Sequence, residues 1–165
     1  MTRQPDNRIF PFESPDDSSG FLLWQVSNLW QRKMNAELSN LGLTHVQFVL
    51  LAGIVWLSSA KETITQARLA AHAKTDIMMT SKVLRALEKR GLVKRETDSR
   101  DTRAKSLTIT SEGYELTLEA IKIVDKIDND FFQSLGEQIG DFNHHLLSIL
   151  GRDKDTPQAE EPENS

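Results

Sequence analysis

The residues of this 165-residue chain that could do chemistry are suited to holding a polyanion rather than to breaking bonds. Ser81, Lys82 and Arg85 follow closely on Met78 and Met79, within a segment that reads as a helix. Hydroxyl and ammonium groups there can donate to base edges or phosphates, and methyl-bearing side chains can touch thymine methyls in a major groove. Further on, Arg100, Asp101 and Arg103 lie in a polar run, Thr97-Asp98-Ser99-Arg100-Asp101-Thr102-Arg103-Ala104. An aspartate two residues before an arginine can hold the guanidinium by a fork pair and limit its rotamers. An arginine so aimed suits a narrow minor groove, where the potential is most negative. Taken alone the Asp-x-Arg pattern is weak, because such pairs occur on many surfaces.

Reactive chemistry has little support. The absence of cysteine excludes disulfide scaffolds, Cys-based zinc sites, Cys nucleophiles and thiol redox sensing. No Gly-rich phosphate loop, no locally supported Ser/His/Asp order and no His-Glu-x-x-His occurs, so neither an enzyme nor a cofactor is expected. The histidines are His45, His72, His144 and His145. The adjacent pair points to different helix faces and cannot chelate as an i, i+4 pair does, so no metal is expected.

Charge is unevenly spread. Residues 61–110 hold twelve Lys or Arg against six Asp or Glu, a basic module in a chain whose net charge is −4. Such a module points to a polyanionic partner, although a solvated helix face would also carry scattered lysines. The longest apolar run, Phe48 to Leu57, is about half of a membrane span. The first fifteen residues lack the apolar stretch of a signal peptide. The expectation is a cytoplasmic protein with no membrane partner.

The elements that must position these residues are mostly helical. Residues 1–19, with Pro5, Pro11 and Pro15, read as a flexible arm, and the acidic residues 151–165 as a disordered tail. Leu22, Val26, Leu29, Trp30 and Met34 have helical spacing, and Gly42 ends that region. Thr44 and Gln47 fit a capping box that opens an apolar helix to about Ser58. Thr65 can cap a short helix from Gln66 to about Ala73, and Thr75 another from Asp76 to Arg90, with Gly91 at the left-handed C′ position. Two β-prone segments, Leu92 to Glu96 and Lys105 to Ile109, flank the polar run as a hairpin with a basic tip. Helical patterns resume over 111–134 and 137–150. This order predicts a mostly α fold: a winged helix-turn-helix over about 44–110, with dimerisation helices at 20–40 and 111–150.

Within the helix from Asp76, Ile77, Thr80, Val83, Leu84 and Leu87 share a stripe expected to face the core. Met78, Met79, Ser81, Lys82 and Arg85 are displaced to the other faces. Two consecutive exposed methionines are poor solvent-facing residues unless a partner covers them. Phe21, Leu22, Trp30, Leu135, Phe142, Leu146 and Leu150 would be left exposed in a monomer, which predicts an isologous homodimer. Trp24, Trp30, Phe48 and Trp56 are expected mainly in the core or the dimer interface.

Three segments then carry a specific resemblance. Leu87-Glu88-Lys89-Arg90-Gly91-Leu92-Val93-Lys94-Arg95, Asp101-Thr102-Arg103-Ala104-Lys105 and Leu107-Thr108-Ile109-Thr110-Ser111-Glu112-Gly113 resemble the MarR family of bacterial transcriptional regulators, over about residues 20–150. The resemblance implies a homodimeric DNA-binding regulator, most often a repressor, gripping adjacent half-sites of double-stranded DNA. It also implies a cleft for small lipophilic or phenolic effectors, for which His45 and Phe48 are the expected lining residues. Lys82 matches the basic position of the family's recognition helix, Ser81 the hydroxyl before it, Arg103 the wing arginine and Asp101 the aspartate that orients it. Met78 and Met79 depart from the Ser-Thr common there, so the operator cannot be borrowed from relatives. Thr102 stands where many members carry another arginine, which leaves Arg100 to share the wing contact. Two rival readings remain open on the residues alone: a winged protein-interaction module without DNA binding, and a metal-gated regulator.

Overall fold

A computed structural model describes residues 10–60, 62–97 and 105–152. Part of the segment read as a flexible arm is helical. Ser14 caps a 3-10 turn, Pro15–Asp17, reciprocally with Asp17. Ser18 then caps helix α1, Ser19–Leu38, by accepting from the Phe21 N–H. A further 3-10 turn, Ser39–Leu41, ends at Gly42, whose φ of 64° takes the chain around the corner. Arg90 secures that corner by donating to the Gly42 carbonyl at 2.7 Å.

Helix α2, His45–Leu57, starts with the expected box: Gln47 N–H to Thr44 Oγ1, and Thr44 N–H to Gln47 Oε1. Helix α3, Gln66–Ala73, is capped by Thr65. Gly53 eases its close approach to α2, where a Cβ would lie 2.9 Å from Leu69 Cδ1 and displace that methyl. Helix α4, Ile77–Lys89, ends at Gly91, with φ 73°. Strands β1, Val93–Thr97, and β2, Lys105–Ile109, pair antiparallel from Val93↔Ile109 to Thr97↔Lys105. The Leu107 N–H donates to the Ile64 carbonyl at 2.7 Å, so the hairpin is stitched to the segment before α3. Met34, Leu38, Leu50, Leu51, Ile54, Leu69, Leu84 and Leu87 are fully buried together and form the core that sets these elements.

Helix α5, Ser111–Phe132, leaves the hairpin through Thr110. The Thr110 hydroxyl donates to the Gly91 carbonyl and accepts from the Gly113 N–H, capping the helix while tying it to the end of α4. The chain divides into two compact units after Ile127. In the second, a 3-10 turn, Gln133–Gln138, kinks at Gly136 before helix α6, Ile139–Ile149, and Phe132 packs against Phe131 and Phe142.

Two sequence expectations about exposure change. Trp30 is half-buried against the core, and Leu135, Phe142 and Leu146 are also half-buried, Phe142 beside Phe132. The apolar surface that remains open is broader than expected. On α1 it is Phe21, Leu22, Leu23, Trp24, Val26 and Leu29, and on α6 it includes Leu147 and Ile149.

Candidate nucleic-acid interface

The turn between α3 and α4 determines what α4 presents. Lys74, at φ 53°, is the left-handed residue that reverses the chain, and the Thr75 N–H donates back to the Ala70 carbonyl at 3.0 Å. Thr75 does not cap α4. Its hydroxyl lies 2.8 Å from that of Thr80, which is fully buried and donates to the Asp76 carbonyl. With the threonine side chain drawn inward, Asp76 takes the cap: its Oδ1 accepts from both Met78 and Met79 N–H groups at 2.9 Å. Gln66 reaches across from α3 to the Ile77 carbonyl. The first turn of α4 is therefore held from both sides.

The inward stripe is shorter than its periodicity suggests. Thr80, Leu84 and Leu87 are buried and Val83 is half-buried, whereas Ile77 is 50% exposed. Ile77 is the first helical residue, one turn beyond Thr80, and the core does not extend that far along the axis. On the outer side Met78 is 79% exposed, Met79 is 42% exposed, and Lys82 and Arg85 are exposed. Met78, Ser81, Lys82 and Arg85 stand at i, i+3, i+4 and i+7 and so form one continuous stripe. Ser81 is half-buried at the inner margin of that stripe.

A residue that sequence reading passed over ties this helix to the hairpin. Arg95, half-buried on β1, donates from Nη2 to the Ser81 carbonyl at 3.4 Å and pairs through Nε with Glu88 Oε2 at 3.4 Å. Nε is buried and makes no hydrogen bond, so the Glu88 contact is an ion pair alone and the tie is a loose one. The signal was present in period 2: Arg95, two residues on, shares the inward face of its strand with the buried Val93. The hairpin tip, residues 98–104 with Arg100, Asp101 and Arg103, lies outside the described residues.

The two residues assigned to an effector cleft differ in setting. His45 is half-buried, with its N–H donating to Asn35 Oδ1 and its ring edge-on to Trp30 at 4.8 Å. Phe48, one turn on, is only 8% exposed and belongs to the core. The His144 and His145 rings lie 6.1 Å apart, and among the described residues no three His, Asp or Glu side chains cluster as a metal would require.

This arrangement, a short brace helix, a tight turn and a second helix with a basic outer stripe beside a hairpin, matches known proteins. The MarR family model matches residues 43–105. An uncharacterized HTH-type transcriptional regulator of Bacillus subtilis, YdcH, is 46% identical over 121 residues, covering 73% of this chain and 82% of the relative. An HTH-type transcriptional repressor of Mycobacterium tuberculosis is 33% identical over 113 residues, covering 68% of this chain and 78% of the relative. Among solved structures, CouR from Rhodococcus jostii, bound to p-coumaroyl-CoA, superposes with a TM-score of 0.73 at 27% identity, covering 84% of this chain and 95% of that one.

Proposed function

The chain belongs to the MarR family, and from that premise we propose that it is a sequence-specific repressor that holds a pseudo-palindromic operator as a homodimer and releases it when a small aromatic molecule binds. It is a winged helix-turn-helix DNA-binding transcriptional regulator. The observation that carries the finer reading is the outer stripe of α4, fixed by the Asp76 cap and presenting Met78, Lys82 and Arg85 to solvent. In a helix-turn-helix the second helix enters the major groove with its N-terminal residues on base edges. Met78, Met79 and Ser81 then face bases, while Lys82 and Arg85 reach base edges or phosphates. Arg100, Asp101 and Arg103, in the sequence between β1 and β2, supply by residue type the contact to the flanking groove.

Assembly follows from the open apolar surfaces. Phe21, Leu22, Leu23, Trp24, Val26 and Leu29 form a face on α1 larger than scattered exposed side chains would make. A second copy covers it in a two-fold dimer, with the exposed apolar residues of α6 contributing in turn. Two recognition helices related by a two-fold axis must stand about 34 Å apart, or a multiple, to enter successive major grooves on one DNA face. A ligand that prefers another spacing by 100-fold shifts the equilibrium by about 2.7 kcal/mol per site. The ligand CouR holds, p-coumaroyl-CoA, supports an aromatic effector here. His45, beside Trp30 at the start of α2, is the polar contact, and Phe48 forms the apolar floor behind it. A regulator of this kind acts where the chromosome is, in the cytoplasm, and needs no catalytic step.

The test combines three measurements. Sedimentation at micromolar concentration should give a dimer of the 18.7 kDa chain. Mobility shift with DNA from upstream of its own gene should show binding that weakens steeply with salt. Titration of phenolic acids into that complex should release the DNA reversibly. A stable monomer, salt-independent binding, or indifference to every aromatic ligand tried would each remove the corresponding part of the proposal.

A further inference from the structure

The tip of α4 consists of Ile77, Met78 and Met79, which are 50%, 79% and 42% exposed. We propose that this apolar tip reads the C5-methyl groups of thymines, so that each operator half-site is specified there by thymine methyls rather than by hydrogen bonds. The inference rests on the DNA-binding reading above and names the base it selects.

Three side chains of this kind have no strong donor or acceptor to offer a base edge; a thioether sulfur is only a weak acceptor. Among the groups that a base pair displays in the major groove, the thymine methyl is the one an apolar side chain recognises. The backbone beneath them is fixed. Asp76 Oδ1 binds both methionine N–H groups, and Gln66 holds the Ile77 carbonyl. The unbranched methionines can therefore adapt to a methyl-lined surface while their Cα positions stay put. The tip is also continuous with the basic stripe: Met78 precedes Lys82 by one turn and Arg85 by two, so a duplex held by those cations covers the tip.

The experiment uses the full-length chain and duplexes recovered by selection from random DNA. Each thymine of the recovered site is replaced singly by deoxyuridine, which deletes only the methyl, and affinity is measured by fluorescence anisotropy. At least one thymine per half-site should weaken binding about fourfold when so replaced, the size expected for uncovering one methyl-sized apolar group. Met78→Ala or Met79→Ala should weaken binding to the thymine site by a similar factor and abolish the distinction from deoxyuridine. Met78→Leu should retain that distinction. A recovered site indifferent to every deoxyuridine replacement would overturn the inference alone, as would variants at 77, 78 and 79 that all keep full sensitivity. That result would leave the tip to a protein partner. Recovery of no site above random sequence would instead overturn the DNA-binding reading, and this inference with it. Indifference in the deoxyuridine series on the unaltered protein overturns the inference without any variant, and Met78→Leu, a swap of similar volume, keeps the assignment to the tip testable where an alanine variant folds poorly.

Discussion

Gly113→Ala tests the joint by which α5 leaves the winged unit. A Cβ at this position would lie 2.1 Å from the Leu92 carbonyl oxygen, 2.9 Å from its carbon and 3.1 Å from Ile109 Cγ1. The oxygen cannot simply swing away, because it accepts from the Thr110 N–H at 3.1 Å and shares, at 3.2 Å, the hydroxyl proton that Thr110 gives mainly to the Gly91 carbonyl at 2.8 Å. Either α5 backs off by about 1 Å or those bonds break. Forced overpacking costs about 1–3 kcal/mol and each broken hydrogen bond about 1 kcal/mol. Against this, alanine improves helix propensity by about 1 kcal/mol. The expected balance is a loss of about 1–2 kcal/mol, or roughly 2–8 °C in Tm for a chain of this length. Thermal unfolding at one fixed protein concentration measures it, since a dimer's Tm depends on concentration. Gly140→Ala in α6, where a Cβ meets nothing within 4 Å, is the control and should stabilise by about 0.5–1 kcal/mol. A neutral or stabilising Gly113→Ala would show that the close approach of α5 to Leu92 has been misjudged.

Three further outcomes follow from named interactions. Asp76→Ala removes the acceptor of two N–H groups at the head of α4 and should cost about 0.5–2 kcal/mol in urea unfolding, with Asp76→Asn retaining most of the stability. Arg95→Met removes a loose tie of two 3.4 Å contacts, so stability should change by less than about 1 kcal/mol while DNA affinity falls, because the hairpin and α4 are no longer held in register; equal losses of both would count against a positioning role. Arg103→Ala should weaken cognate and random DNA alike and flatten the salt dependence by roughly one unit for each phosphate it no longer neutralises, which binding isotherms at several salt concentrations will read.

Much of this fold is legible in the chain because local chemistry and tertiary packing agree. Thr44 with Gln47, Thr65 before α3 and Gly91 after α4 each do what their residue types do in isolation. Legibility fails where neighbours compete. Thr75 and Asp76 are both good N-caps, and only the buried Thr80 hydroxyl, five residues on, draws Thr75 away and leaves the cap to Asp76. Ile77 has the periodicity of a core residue, but periodicity describes direction around a helix and not how far a core extends along it. Arg95 is hidden for a related reason: a charged residue on an inward strand face is explained only by the helix carbonyl it reaches. Trp30 and His45, 15 residues apart in sequence, meet through a corner whose angle no local pattern encodes.

The central claim is that the outer face of α4 reads DNA sequence, and Lys82→Ala tests it most directly. Lys82 is exposed on the stripe between Met78 and Arg85 and far enough from the core that its loss should not unfold the chain. Affinity is to be measured for the unaltered protein and the variant on the selected site and on random duplex, at one salt concentration. A helix that reads sequence predicts a loss of about 1–3 kcal/mol on the selected site, a much smaller loss on random DNA, and relaxed preference at one position of each half-site. Equal losses on the two DNAs would contradict it, and would make Lys82 a phosphate contact on a helix that grips without reading.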